Sequence, residues 1–180
     1  MNKRILENPC FKDKVTILET GKDNNGAYDL LEVELEAGGG NGLHYHTSFN
    51  ETFIPVEGTL GIVKGKQKLR LEPGKTATVG TGELHCFFNP GDKAIRFRVK
   101  LSPSNENFLR SLGIAYGLAA DGLTGKTGTP KKLSHMAILL DLADTRVPGV
   151  IGLITPLLLR RARNKRSCAM KAELIGRYCD

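Results

Sequence analysis

The chain has 180 residues, 40% hydrophobic and 25% charged, which makes a globular soluble protein the default. Its four cysteines, Cys10, Cys86, Cys168 and Cys179, form no CxxC pair and match no zinc module, and the opening MNKRILENPCFKDK lacks the apolar core of a secretory signal. Reduced thiols and a cytoplasmic location are therefore expected. The net charge of +7 is uneven: residues 1–101 carry 14 Lys/Arg against 13 Asp/Glu, and residues 102–180 carry 12 against 6.

From Val15 to Leu101 the pattern is mostly period two. In Asp29–Glu36, Leu31, Val33 and Leu35 alternate with Glu32, Glu34 and Glu36, which reads as a strand with one wet and one dry face. The runs Thr52–Lys64, Gln67–Leu71, Thr76–Val79 and Leu84–Phe88 follow. Gly58, Gly65, Pro73-Gly74, Gly80, Gly82 and Pro90-Gly91 punctuate them as turns. Ala94–Leu101 repeats the alternation with Ile95, Phe97, Val99 and Leu101. Short strands so spaced predict a sandwich or a closed barrel.

After Ser102-Pro103 the composition shifts. Ser104 is a candidate cap for a helix running to about Leu118, with Phe108, Leu109, Leu112, Ala115 and Tyr116 at helical spacing. Ala120–Thr129 reads as a loop and Leu133–Leu142 as a second helix. Val150–Leu159, containing Pro156, reads as a third. Arg160–Arg166 holds five basic residues of seven, and Ser167–Asp180 extends that helix or frays. The chain thus divides into a β domain with its lead-in, 1–101, and a helical extension, 102–180.

Chemistry concentrates in the first part. His44 and His46 are i and i+2, so on a strand both imidazoles leave one face. Glu51 follows a plausible hairpin turn, Thr47–Asn50, which brings it back beside them. His85 stands 34 residues later at the start of another strand. Three imidazoles and one carboxylate suit one divalent ion among Fe, Mn, Ni, Cu, Co and Zn. On an octahedral ion such a set leaves two open positions, where a closed tetrahedral zinc site leaves none. Cys86, beside His85, turns to the opposite face and reads as a small buried hydrophobe.

Glycines frame these residues. Gly38–Gly58 fits G-x5-H-x-H-x4-E-x6-G at every specified position. Gly74–Asn89 fits G-x5-P-x-G-x2-H-x3-N except that Gly80 replaces the proline. These are the two motifs of the cupin superfamily, which the chain resembles over roughly Lys14–Leu101, with the short spacing of compact members. The resemblance implies a mainly β fold, an antiparallel barrel of jelly-roll type followed here by C-terminal α-helices. It implies His44, His46, Glu51 and His85 as metal ligands, and a homodimer. Gly80 sits at a turn and is not a ligand, so its departure touches local rigidity rather than chemistry.

Alternation places Phe53 beside Glu51 and Phe87 beside His85 on the inward face, with Phe97 and Val33 also inward. They are candidates for an apolar pocket holding a small organic ligand, or plain core. The leading function is a metalloenzyme acting on a small organic molecule, with dioxygenase-like oxidoreductase chemistry ahead of isomerase chemistry. The alternative is a non-catalytic binding or sensing module. Nucleic acid is not expected at the basic run, which lacks interleaved aromatics. The apolar stretch Val147–Leu159, which the basic run to Arg166 follows, is too short to span a bilayer of about 30 Å. It is expected to pack on the barrel or a second subunit, with membrane-surface contact the second option.

Overall fold

The structure is a computed structural model that describes residues 4–179. Ten strands come first: β1 Ile5–Asn8, β2 Asp13–Glu19, β3 Asp29–Leu35, β4 Tyr45–His46, β5 Asn50–Glu57, β6 Leu60–Lys64, β7 Gln67–Leu71, β8 Ala77–Val79, β9 His85–Phe88 and β10 Ile95–Ser102. Helices α1 Glu106–Ala120 and α2 Leu133–Leu142, strand β11 Thr145–Arg146, and helices α3 Val150–Ala162 and α4 Lys165–Tyr178 follow.

The strands form an antiparallel six-stranded sheet in the order β1-β2-β3-β10-β5-β8, a three-stranded sheet β7-β6-β9, and the pair β11-β4. Period-two patterning sets the register. Phe97 stands opposite Val33 and Val99 opposite Leu31, so the dry faces of β3 and β10 coincide and all four side chains are buried. The wet face carries cross-strand ion pairs, Arg98–Glu32 at 3.1 Å and Lys14–Glu34 at 2.8 Å. At such exposure each contributes little. Leu60 and Ile62 from the smaller sheet join the larger sheet's residues in one core.

Two turns explain motif positions. Gly58 has φ +76°, and a Cβ there would stand 2.5 Å from Ile95 Cγ2, so only glycine fits between β5 and β6. At Gly80, the motif's missing proline, the backbone N–H donates to Glu83 Oε2 at 3.2 Å. Proline has no N–H to make that bond.

Asn89 is a scaffold residue. Its amide donates to Leu35 O at 3.0 Å and Lys93 O at 2.8 Å, and its Oδ1 accepts from Gly91 N. It ties the end of β9 to β3.

Helix α1 begins one residue later than the sequence suggests. Asn105, not Ser104, is the cap and accepts from Phe108 N. Ser104 is diverted: its hydroxyl donates to the buried Asp29, whose carboxylate also accepts from Gly21 N and Asn105 N. One carboxylate thus fastens the start of α1 to the start of β3. Phe108, Leu109 and Tyr116 on one side of α1 belong to the β core. Ile114 and Leu118 on the other pack with Ile138 of α2 and Leu174 of α4. Residues 165–178 form a separate helix capped by Asn164, so the basic run is split by a helix break. No described helix is long and apolar enough to cross a membrane.

Candidate metal centre

His44 and His85 face each other in an isolated antiparallel bridge, closed by His44 N to His85 O at 3.0 Å and the reciprocal bond at 2.8 Å. Directly opposed residues send their side chains to the same face. Two residues on, His46 joins them, and Glu51 enters from β5. The ligand atoms of these four residues lie within 4.8 Å of one another. His46, Glu51 and His85 are buried, and His44 sits at the edge.

Backbone carbonyls orient all three rings. His44 Nδ1 lies 2.8 Å from Gly42 O, His46 Nδ1 3.2 Å from Ala143 O, and His85 Nδ1 3.0 Å from Glu83 O. A carbonyl only accepts, so each Nδ1 carries a proton and donates it. Each Nε2 is thereby left to face the cluster. Glu51 Oε2 is 2.7 Å from His85 Nε2 and 3.9 Å from His46 Nε2.

The electrostatics follow from burial and proximity. Burial pushes His44 down to about 4 and lowers His46 as well, so both rings are neutral donors at neutral pH. Burial alone would raise Glu51, but the His85 hydrogen bond and the surrounding imidazoles outweigh it and hold the carboxylate below its usual range. For His85, burial acts downward and the Glu51 bond wins, raising the ring.

The donor set fits a divalent cation. His46 Nε2 is buried and makes no hydrogen bond among the described residues. Such an orphan costs about 1–3 kcal/mol. A cation seated between the three nitrogens and the carboxylate removes that cost. Imidazole and carboxylate together suit several first-row ions, so the set fixes no single metal.

The pocket candidates are placed as follows. Phe53, Phe97 and Val33 lie in the β core, and Phe87 packs against it half-buried. The Phe53 ring is 6.2 Å from His85 and 6.2 Å from Phe87, and Phe87 is 5.2 Å from Phe97. One aromatic row thus runs from the cluster into the core. Cys86 is half-buried and lies outside the four-residue cluster.

Sequence reasoning missed the neighbours of His46. Phe49 stacks on its ring at 4.4 Å and Phe108 meets it edge-on at 5.5 Å. Strand β11 pairs with β4, setting Thr145 opposite His46. Asp144 accepts from Thr47 N and from Thr47 Oγ1, each at 2.8 Å. The helical extension therefore forms one wall of the site. Helical spacing flagged Phe108 as apolar, but nothing local marks Asp144, whose partner is 97 residues away.

Residues 31–101 match the family model described as the cupin domain. A comparison with curated proteins finds no match. Among solved structures, KdgF from Halomonas sp. is similar at 16% identity and TM-score 0.48, over 53% of this chain and 84% of that one. A predicted oxalate decarboxylase from Thermotoga maritima aligns at 20% identity and TM-score 0.48, over 51% and 80%. The Schizosaccharomyces pombe Cnp3 cupin domain aligns at 17% and 0.48, over 62% and 77%. The match to the cupin domain takes in His44, His46, Glu51 and His85, and it ends at residue 101 in β10, before the helical extension.

Proposed function

We propose that this protein is a metal-dependent cupin enzyme that acts on a small organic molecule, with oxygenase-like chemistry. The supporting observation is that three Nδ1-anchored imidazoles turn their Nε2 atoms toward one buried carboxylate. His44, His46, Glu51 and His85 would hold the ion, of which Fe, Mn, Ni, Cu, Co and Zn are candidates. When bound, such an ion polarises a coordinated oxygen or activates water or O2. The protein's own contribution is orientation and exclusion of water. The main-chain carbonyls fix the rings, and Phe49 and Phe108 shield His46 from solvent. Phe53, Phe87, Phe97 and Val33 are the proposed apolar wall for the substrate.

The same aromatic surroundings favour a second reading, a binding or sensing module in which the metal fixes a ligand. An electrode assay separates the two. The metal-loaded protein is offered phenolic, thiol and keto-acid compounds, and oxygen uptake is followed. Uptake that depends on one compound class and is lost in His85→Ala supports the enzyme. Silence across the panel, with ligand-dependent thermal stabilisation, supports the binder. The proposal includes a homodimer and a cytoplasmic location, which light scattering and cell fractionation test directly.

A further inference from the structure

Helix α3 leaves most of its apolar side chains in water. Val150, Leu153 and Leu157 are 76%, 82% and 68% exposed, and Ile154 is 37% exposed. Only Thr155, Leu158 and Ala162 of this helix are buried, and Leu158 and Ala162 pack on Ala137 and Leu140 of α2. The exposed residues recur at i, i+3, i+4 and i+7, so they form one stripe. Arg160 and Arg161 continue it at i+10 and i+11. The stripe is apolar for two turns and then becomes cationic.

Residues 146–172 hold seven Lys/Arg and no Asp/Glu. Arg146 pairs with Asp144, and Arg163 and Lys171 pair with Asp141. Arg160, Arg161, Lys165 and Arg166 have no ion pair among the described residues. Arg161 and Arg166 line an open cleft of about 310 Å³ between α3 and α4, with Ser134 and Asn164 beside them.

We propose that this stripe docks on an anionic lipid surface, with α3 lying in the membrane plane and the cleft cations on lipid phosphates. Apolar burial and cation–phosphate attraction act together at such an interface. A second copy of this chain fits less well. It would bring two sets of four unpaired cations together with no acidic residue in the stretch to meet them. The docking is independent of the metal centre.

Sedimentation of the full chain with lipid vesicles tests it. The protein should pellet with phosphatidylcholine vesicles containing about one third phosphatidylglycerol, weakly with phosphatidylcholine alone, and less as salt rises. Leu153→Asp combined with Leu157→Asp should lower partitioning about tenfold or more, because two exposed leucines that would enter the lipid are lost. Arg160→Glu combined with Arg161→Glu should remove the preference for anionic lipid. Both pairs are exposed, so thermal unfolding should stay close to that of the parent. No pelleting with anionic vesicles overturns the proposal, as does pelleting that neither variant changes. A parent dimer that the leucine variant converts to monomer, without vesicle binding, assigns the face to self-association instead.

Discussion

Asp13 shows how one buried carboxyl couples the β domain to the helices. Tyr116 of α1 donates to its Oδ2 at 2.7 Å, while Oδ1 is buried without a hydrogen bond among the described residues. Burial pushes Asp13 up to about 6, and the Tyr116 bond opposes it only in part. The folded value lies above the unfolded 3.8, so the protonated acid favours folding. This contribution is full below about pH 4, declines as pH rises through the folded value, and is gone above it. Asp13→Asn should flatten stability across that window, by an amount on the order of 2 kcal/mol. Urea unfolding at a series of pH values measures it, and an unchanged profile would contradict the assignment. Gly58→Ala belongs to the same scale. It combines a positive φ with a 2.5 Å approach to Ile95. A loss of on the order of 2 kcal/mol or more is expected.

Between strands and helices, the informative element is β11. Two residues of backbone pairing and one carboxylate clamp the segment after α2 onto the strand bearing His46. Asp144→Ala removes the acceptor for Thr47 and should cost about 1.5–3 kcal/mol. Because Ala143 O orients His46, the same change should weaken metal affinity by roughly tenfold. Isothermal titration at fixed pH reads the second effect, and parent affinity in the variant would show that the clamp does not position the ring. Most strands were legible because alternation is a local property, as at Leu31, Val33 and Leu35. Helix α2 spans the residues that the sequence assigns to it, Leu133–Leu142. Strand β11 was not legible, since a two-residue strand has no period and exists only through a partner far away in sequence. The start of α1 was misplaced because Ser104 and Asn105 are both good caps, and Asp29, distant in sequence, takes the serine hydroxyl. The four ligand candidates were legible because an alternating pair of histidines, a turn and framed glycines encode convergence. The wall made by Phe49 and Phe108 was not, since it depends on where α1 lands.

Across the whole molecule, the boundary near residue 101 marks a change of composition, and the packing crosses it. Phe108, Leu109 and Tyr116 complete the β core from the helical side. Each such side chain stabilises the fold by about 2 kcal/mol before entropy is counted. We therefore predict that a fragment ending at residue 101 unfolds without a cooperative transition. A sharp transition near that of the full chain would show that the β domain is self-sufficient. The extension then has two roles in this account. Its inner side completes the core and orients His46, and its outer side presents the apolar and cationic stripe of α3.

The most direct test of the account is metal content. The purified chain, stripped and reloaded, should hold about one divalent ion per chain. His46→Ala combined with His85→Ala should hold none while keeping its β-sheet circular dichroism. A folded double variant that retains the full complement of metal would contradict the assignment of these four side chains as one centre.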